Sequence, residues 1–268
     1  MIEIFQNIRE NYDFIRPCEE LAEFVEFFSE SSPSATGKYV LNGYSHSKMF
    51  SSWTPTFYIN LGSPYLINLD TSRFSIGADQ DILILRNGDV TRYKLPTDRL
   101  FTVKFFPGAL EAVLGIPQAG LCNQVTNLQE VLPPLLLHTI KIATGFNERV
   151  SIMQNFLLKE KQKYCKKDHY LKIVRDAIGE YHATGMQLNT SQVAERLFVS
   201  SKSINRYFHK VVGVSPKAYF SIVRTRAALT AFIKDKKHFD PSIFGYYDSS
   251  HFSKDVFSFT GHRLNDQL

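Results

Sequence analysis

Two apolar stripes a few residues apart constrain this chain most. They lie in residues 189–213, NTSQVAERLFVSSKSINRYFHKVVG. Val193, Ala194 and Leu197 form the first. Ile204, Tyr207, Phe208, Val211 and Val212 form the second, at i, i+3, i+4, i+7 and i+8 of a helical period. Asn189, Thr190 or Ser191 can cap the first helix, and Ser200 the second. The spacing predicts two helices joined by a tight turn. Lys202, Asn205, Arg206 and His209 fall on the other face of the second helix. Amide and guanidinium groups can pair bidentately with adenine and guanine edges in a major groove. A helix with its back in a core and such a front is what a helix-turn-helix presents to DNA.

The chain then repeats the pattern. Ser215-Pro216 is a capping residue followed by a first-turn proline, and opens a connecting helix over residues 216–234. An offset of 48 residues sets Phe252 on Ile204, Lys254 on Arg206, Val256 on Phe208 and Gly261 on Gly213. Asp248 takes the capping place of Ser200. A second helix-turn-helix is expected over residues 241–261, so that two units about 34 Å apart would span successive major grooves. The candidate DNA-binding residues are Ser201, Lys202, Ser203, Asn205, Arg206, His209 and Lys210 on the recognition helix 201–212. The second unit offers Ser249, Ser250, Ser253 and Lys254. Lys202 and Lys210 suit phosphate, which positions without specifying. His251 and Tyr246 read as structural, and Tyr247 as rim.

Charge divides the chain in the same way. Residues 1–165 hold 15 Lys+Arg against 17 Asp+Glu, a net −2, and residues 166–268 carry the balance of the +5 total. A basic final third suits a polyanion, and a neutral front half suits another task. That front half reads as β-rich. Residues 57–61, 65–69, 82–86, 90–95 and 101–106 are short apolar runs bounded by turn residues, the pattern of a sandwich or barrel. Asn87-Gly88 between two of them predicts a two-residue hairpin. Residues 18–30, CEELAEFVEFFSE, read as an amphipathic helix, and 31–37 as a loop. Residues 109–114, 128–132, 146–164 and 169–180 read as helical. The lysine run at 159–167 marks the expected boundary between a front domain, 1–165, and a helical domain, 166–268. His46, Trp53, Tyr58 and Tyr65 are candidates for a small pocket, though a plain core explains them better.

Residues 170–265 resemble the AraC/XylS family of bacterial transcription regulators. The likeness rests on Val193-Ala194, Leu197, Val199-Ser200, Ile204, Arg206, Phe208, Gly213, Ser215-Pro216, Tyr219, Arg224 and Ala228. In the second unit it rests on Gly245-Tyr246-Tyr247-Asp248, Ser250 to Lys254, and Gly261. Residues 103–117 carry a fainter likeness to the family's β-rich N-terminal domains. The resemblance implies an α+β chain: a β-rich sandwich or barrel for effector sensing or interaction, then an all-α domain with two helix-turn-helix motifs. It implies double-stranded operator DNA as partner. It leaves open a small-molecule effector, an RNA polymerase contact and a homodimer. Three departures stand out. Phe198 sits where the family often has Gly, Pro241 falls in the first helix of the second unit, and the tail at 261–267 lacks the usual Ser-Pro and Tyr. They motivate an alternative, an interaction protein with a decayed DNA-binding domain that pairs with another regulator.

Other classes find little support. No G-x-S-x-G, H-E-x-x-H, P-loop or dinucleotide motif occurs, so no enzyme and no cofactor are expected. Cys18, Cys122 and Cys165 are too scattered for a disulfide framework or metal site. Neither a signal peptide nor an apolar run of membrane-spanning length is found, which predicts a cytoplasmic protein without a membrane partner.

Overall fold

A computed structural model describes residues 2–6, 8–31, 45–95, 97–164 and 169–264. Most of the expected 31–37 loop, the thiol of Cys165, the 165/166 domain boundary and the tail at 265–267 lie outside the described residues. The chain is α+β, with a β-sandwich first and helices after it. Its strands are β1 Tyr12–Ile15, β2 Val25–Ser31, β3 Ser45–Met49, β4 Pro55–Asn60 and β5 Tyr65–Leu69, then β6 Ser72–Ile76, β7 Ile82–Leu85, β8 Val90–Lys94, β9 Leu100–Phe105 and β10 Val125–Asn127. One antiparallel sheet runs β1-β2-β9-β4-β7-β10 and the other β3-β8-β5-β6.

Side-chain alternation builds three layers from these strands. In β4, Phe57 and Ile59 face one way and Tyr58 the other; in β7, Leu83 and Leu85 oppose Ile82 and Ile84. The first set packs on helices α1 (Ala109–Leu114), α2 (Pro134–Ile142) and α3 (Phe146–Tyr164) through Leu110, Ile140, Met153 and Leu157. The second set packs on Ile67 and Val90 of the smaller sheet. The six-stranded sheet therefore carries core residues on both faces at β4 and β7, and β9 follows the same parity. Phe101, Val103 and Phe105 face the helices, while Leu100, Thr102 and Lys104 face the gap between the sheets.

Three expectations for the front half fail. Residues 18–30 form a short 3-10 turn, Glu19–Leu21, and then β2, rather than one helix. The spacing of Leu21, Phe24, Val25 and Phe28 satisfies either form. What decides is the place between β1 and β9, where Phe28 pairs with Ile15 and Val103. The aromatic run also suits a strand. Asn87-Gly88 closes no hairpin, because β7 and β8 belong to different sheets. Neither residue adopts positive φ. Gly88 is instead a site of close approach: a Cβ there would stand 2.3 Å from the Asp70 carboxylate, which accepts the Asp89 amide. Residues 128–132 make only a 3-10 turn, Leu128–Glu130. The helix follows at α2, where Pro134 takes a tolerated first-turn place and Leu137 and Ile140 are buried.

The second half is helical: α4 His169–Ala183, α5 Thr190–Arg196, α6 Ser201–Val211, α7 Pro216–Lys234 and α8 Ser249–Thr260. Val174, Ala177, Val193, Ile204 and Phe208 share one core. Ala228, Leu229, Tyr246, Phe252 and Val256 share another at the far end of α7.

Candidate nucleic-acid interface and inner cavity

The first unit is fixed at each joint by its own residues. The Asn189 side chain accepts the Gln192 amide at 3.0 Å, and Gln192 returns a bond to the Asn189 amide at 2.9 Å, a reciprocal capping box. The Ser200 hydroxyl accepts the Ser203 amide at 3.1 Å and starts α6. Ile204, Phe208 and Val211 are fully buried, each stabilising the unit by about 1.5–3 kcal/mol. Between the helices Phe198 has φ 55 and is 97% exposed. That left-handed backbone is why a glycine suits the position, and the phenyl ring gains no packing in exchange.

The candidate residues of α6 share its outer face. Ser201, Lys202, Asn205, Arg206, His209 and Lys210 are exposed, and Ser203 is half-buried. Two of them lean on aromatic rings. The Arg206 guanidinium lies 5.1 Å from the Tyr207 ring, and the Lys210 ammonium 3.6 Å from that of Tyr170. Tyr207 is half-buried, and its hydroxyl meets His169 Nε2 at 3.0 Å.

The second unit is slighter at its entry. A four-residue 3-10 turn, Pro241–Phe244, stands where the first unit has α5, and it buries no side chain. Asp248 does cap α8, its carboxylate accepting the His251 amide at 2.7 Å. Ser249, Ser250 and Lys254 are exposed, while Ser253 is half-buried and donates to the Ser249 carbonyl. Asp255 turns back to Arg224 of α7 at 3.0 Å, so its charge is matched within the unit. Tyr246 is buried, with its hydroxyl 3.0 Å from that of Thr225, and Tyr247 is 93% exposed. His251 is exposed and edge-on to Tyr246.

Both units touch the front half. Gln118 is fully buried: its Oε1 accepts the Gly108 amide at 2.9 Å, and its Nε2 donates to the carbonyls of Trp53 at 3.0 Å and Val212 at 2.9 Å. Gly213, at φ 99, lies against the Trp53 indole, where a Cβ would stand at 3.1 Å. At the other end of α7, Phe259 packs on Phe50 with ring centres 5.3 Å apart.

A cavity of about 610 Å³ opens between the sandwich and α7. Its wall holds five cations: Arg86, Arg92, Lys104, Arg226 and Lys234. Phe14, Phe27, Met49, Leu100 and Ile233 supply apolar surface. Of the residues expected for a pocket only Tyr58 lines it. His46 is exposed, Trp53 is at the seam with the second half, and Tyr65 is core. Arg92 pairs with Asp98 at 2.6 Å and Lys104 with Glu26 at 2.9 Å. Glu3 serves two partners, Arg86 and Arg226, each at 2.7 Å. Burial pushes the Lys104 ammonium down to about 8, against the pull of Glu26. Burial alone would raise the Glu3 carboxyl, but the two guanidiniums overrule it and hold it far below the usual range. The sequence hid this site because its cations are spread over separate elements, with Arg86 just past β7, Arg92 in β8, Lys104 in β9, and Arg226 and Lys234 in α7. The available signal was parity: Lys104 shares the inward register of Thr102 and Leu100.

Among the described residues, no helix is long and apolar enough to cross a membrane, and no group of three metal-binding side chains occurs. No family model matches the sequence, and no curated protein does. Among solved structures, the chain is similar to ToxT from Vibrio cholerae at 10% identity, over 83% of this chain and 97% of that one, with a TM-score of 0.44. ToxT bound to an unsaturated fatty acid matches at 10% identity, over 83% and 94%, with a TM-score of 0.43. The AraC-like transcriptional activator CuxR matches at 13% identity, over 68% and 66%, with a TM-score of 0.27.

Proposed function

We propose that the chain is a sequence-specific DNA-binding transcription regulator of the AraC type. One observation carries this reading. Two separately capped helices, α6 and α8, present exposed polar faces from opposite ends of α7 in the basic third of the chain. At 19 residues, α7 spans about 28 Å, close to one turn of B-DNA. Asn205 and Arg206 read bases, Lys202 and Lys210 hold phosphate, and Ser249, Ser250 and Lys254 set register. The cavity holds an anionic effector with an apolar body.

Footprinting on operators recovered from bound genomic fragments tests the reading. Arg206→Ala should weaken cognate binding by about 1–3 kcal/mol and relax one base position. Lys202→Ala should weaken all sequences alike and flatten the salt dependence. An Arg206→Ala protein that binds its operator like the parent removes the base-reading role. The reduced entry turn at Pro241–Phe244 favours a second reading, an interaction protein whose DNA-binding unit has decayed. Retained capture of a regulator with no specific gel retardation would select it.

A further inference from the structure

The Glu3 carboxylate sits in the cavity as an anion would. Its Oε1 faces Arg226 and its Oε2 faces Arg86, and Oε2 also accepts the Phe50 amide at 2.9 Å. Arg226 also reaches Oε2, through Nη1 at 3.5 Å, so it engages both oxygens as guanidinium–carboxylate pairs commonly do. The segment that brings it there packs its Phe5 ring edge-on against Phe50 and His262. Its backbone attaches through the Glu3 amide on the Lys48 carbonyl at 2.8 Å and the Ile2 bridge to the same residue. The next residue, Ile4, has φ 74, a costly conformation for a β-branched side chain. Ile4 lines the same cavity. The two arginines have supports of their own. Arg86 also donates to the Phe50 carbonyl at 2.9 Å, and Arg226 to that of Ser51 at 3.2 Å. Arg86 Nε is buried and has no partner among the described residues.

Building on the effector reading of this cavity, we propose that Arg86 and Arg226 form its carboxylate-binding subsite, and that Glu3 is a built-in occupant which a monocarboxylate with an apolar body displaces. The incoming acid takes over the two guanidiniums. Its body fills the wall vacated by Ile4 and lies on Phe14, Phe27 and Met49. Residues 2–6 are released, which relieves the Ile4 backbone. Because Arg226 belongs to α7, the exchange takes place on the helix that joins the two helix-turn-helix units.

The test is a fluorescence titration of the full chain with dansylaminoundecanoate, and with its methyl ester as the uncharged control. Glu3→Gln keeps the shape and removes the competing charge. It should tighten the acid about tenfold, the worth of one charge-assisted contact, and leave the ester unchanged. Arg226→Gln should weaken the acid by a similar factor. Saturable binding of the acid that is indifferent to Glu3→Gln overturns the displacement and leaves the cavity reading standing. No saturable binding of acid or ester to either protein overturns both. Hydrogen exchange in the unaltered protein gives a measure that needs no variant to fold. The Glu3 amide, bonded to the Lys48 carbonyl, should lose protection with the acid and keep it with the ester; protection retained with both overturns the proposal.

Discussion

Replacing Gln118 with methionine should loosen the joint between the sandwich and the first helix-turn-helix. The side chain is fully buried and makes three bonds to backbone groups from three segments, at Gly108, Trp53 and Val212. Methionine has a similar volume and flexibility, so little cavity is added. At about 1 kcal/mol net for each hydrogen bond, the loss comes to about 3 kcal/mol, and more where the abandoned groups stay dry. The chain carries its own reporter. Trp53 is the sole tryptophan and packs on the Gly213 side of this joint. Denaturant unfolding followed by tryptophan emission would measure the change, with the slope checked for a common transition. A loss below about 1 kcal/mol, at unchanged slope, would refute the claim that Gln118 holds the two halves together.

Other perturbations follow from the same physics. Phe198→Gly should raise stability by about 1 kcal/mol by relieving a left-handed phenylalanine with no packing to lose; an unchanged or lower melting temperature would count against it. Gly213→Ala should destabilise by at least about 1 kcal/mol, since φ is positive and the new Cβ meets Trp53, and a neutral result in thermal unfolding would contradict that. Arg149→Met strands the buried Glu30 with only its half-exposed Arg99 partner and should cost about 3 kcal/mol in the same assay. Lys104 has a definite sign with pH. Its pKa is about 8 when folded against 10.5 unfolded. Below 8 both states keep the proton and the buried cation weakens the fold in full. Between 8 and 10.5 the unfolded chain binds more protons, so stability rises with pH, by on the order of 3 kcal/mol in all. Unfolding of the parent and Lys104→Met across that window should diverge accordingly, and parallel curves would remove the effect.

The helical half was legible because its signals are local. Capping residues, first-turn proline and periodic stripes put α5 to α8 close to their observed bounds, and Asp248 caps as its place in the repeat requires. The sandwich was legible as strands but not as sheets. Pairing is non-local, so nothing near Asn87-Gly88 says that its neighbours join different sheets. The 18–30 segment misled because its apolar spacing fits two periods, and only its partners β1 and β9 decide. The cavity was the least visible feature. Its cations come from the residue after β7 and from β8, β9 and α7, and no two of them are adjacent in the sequence.

Helix α7 is bound to its length by two unrelated surfaces. Arg226, Thr230, Ile233 and Lys234 form one stripe facing the cavity, and Tyr219, Phe220, Ala228 and Leu229 pack into the two helical cores. One residue inserted between Phe220 and Arg226 would turn everything beyond it by about 100° and advance it by about 1.5 Å. The second unit would then face a different azimuth around the DNA axis, and the cavity would lose Arg226 from its wall. Whole turns added to the helix would restore the azimuth but not the span. The phase between the two units and the shape of the inner cavity are therefore a single degree of freedom, and a change in one is registered in the other.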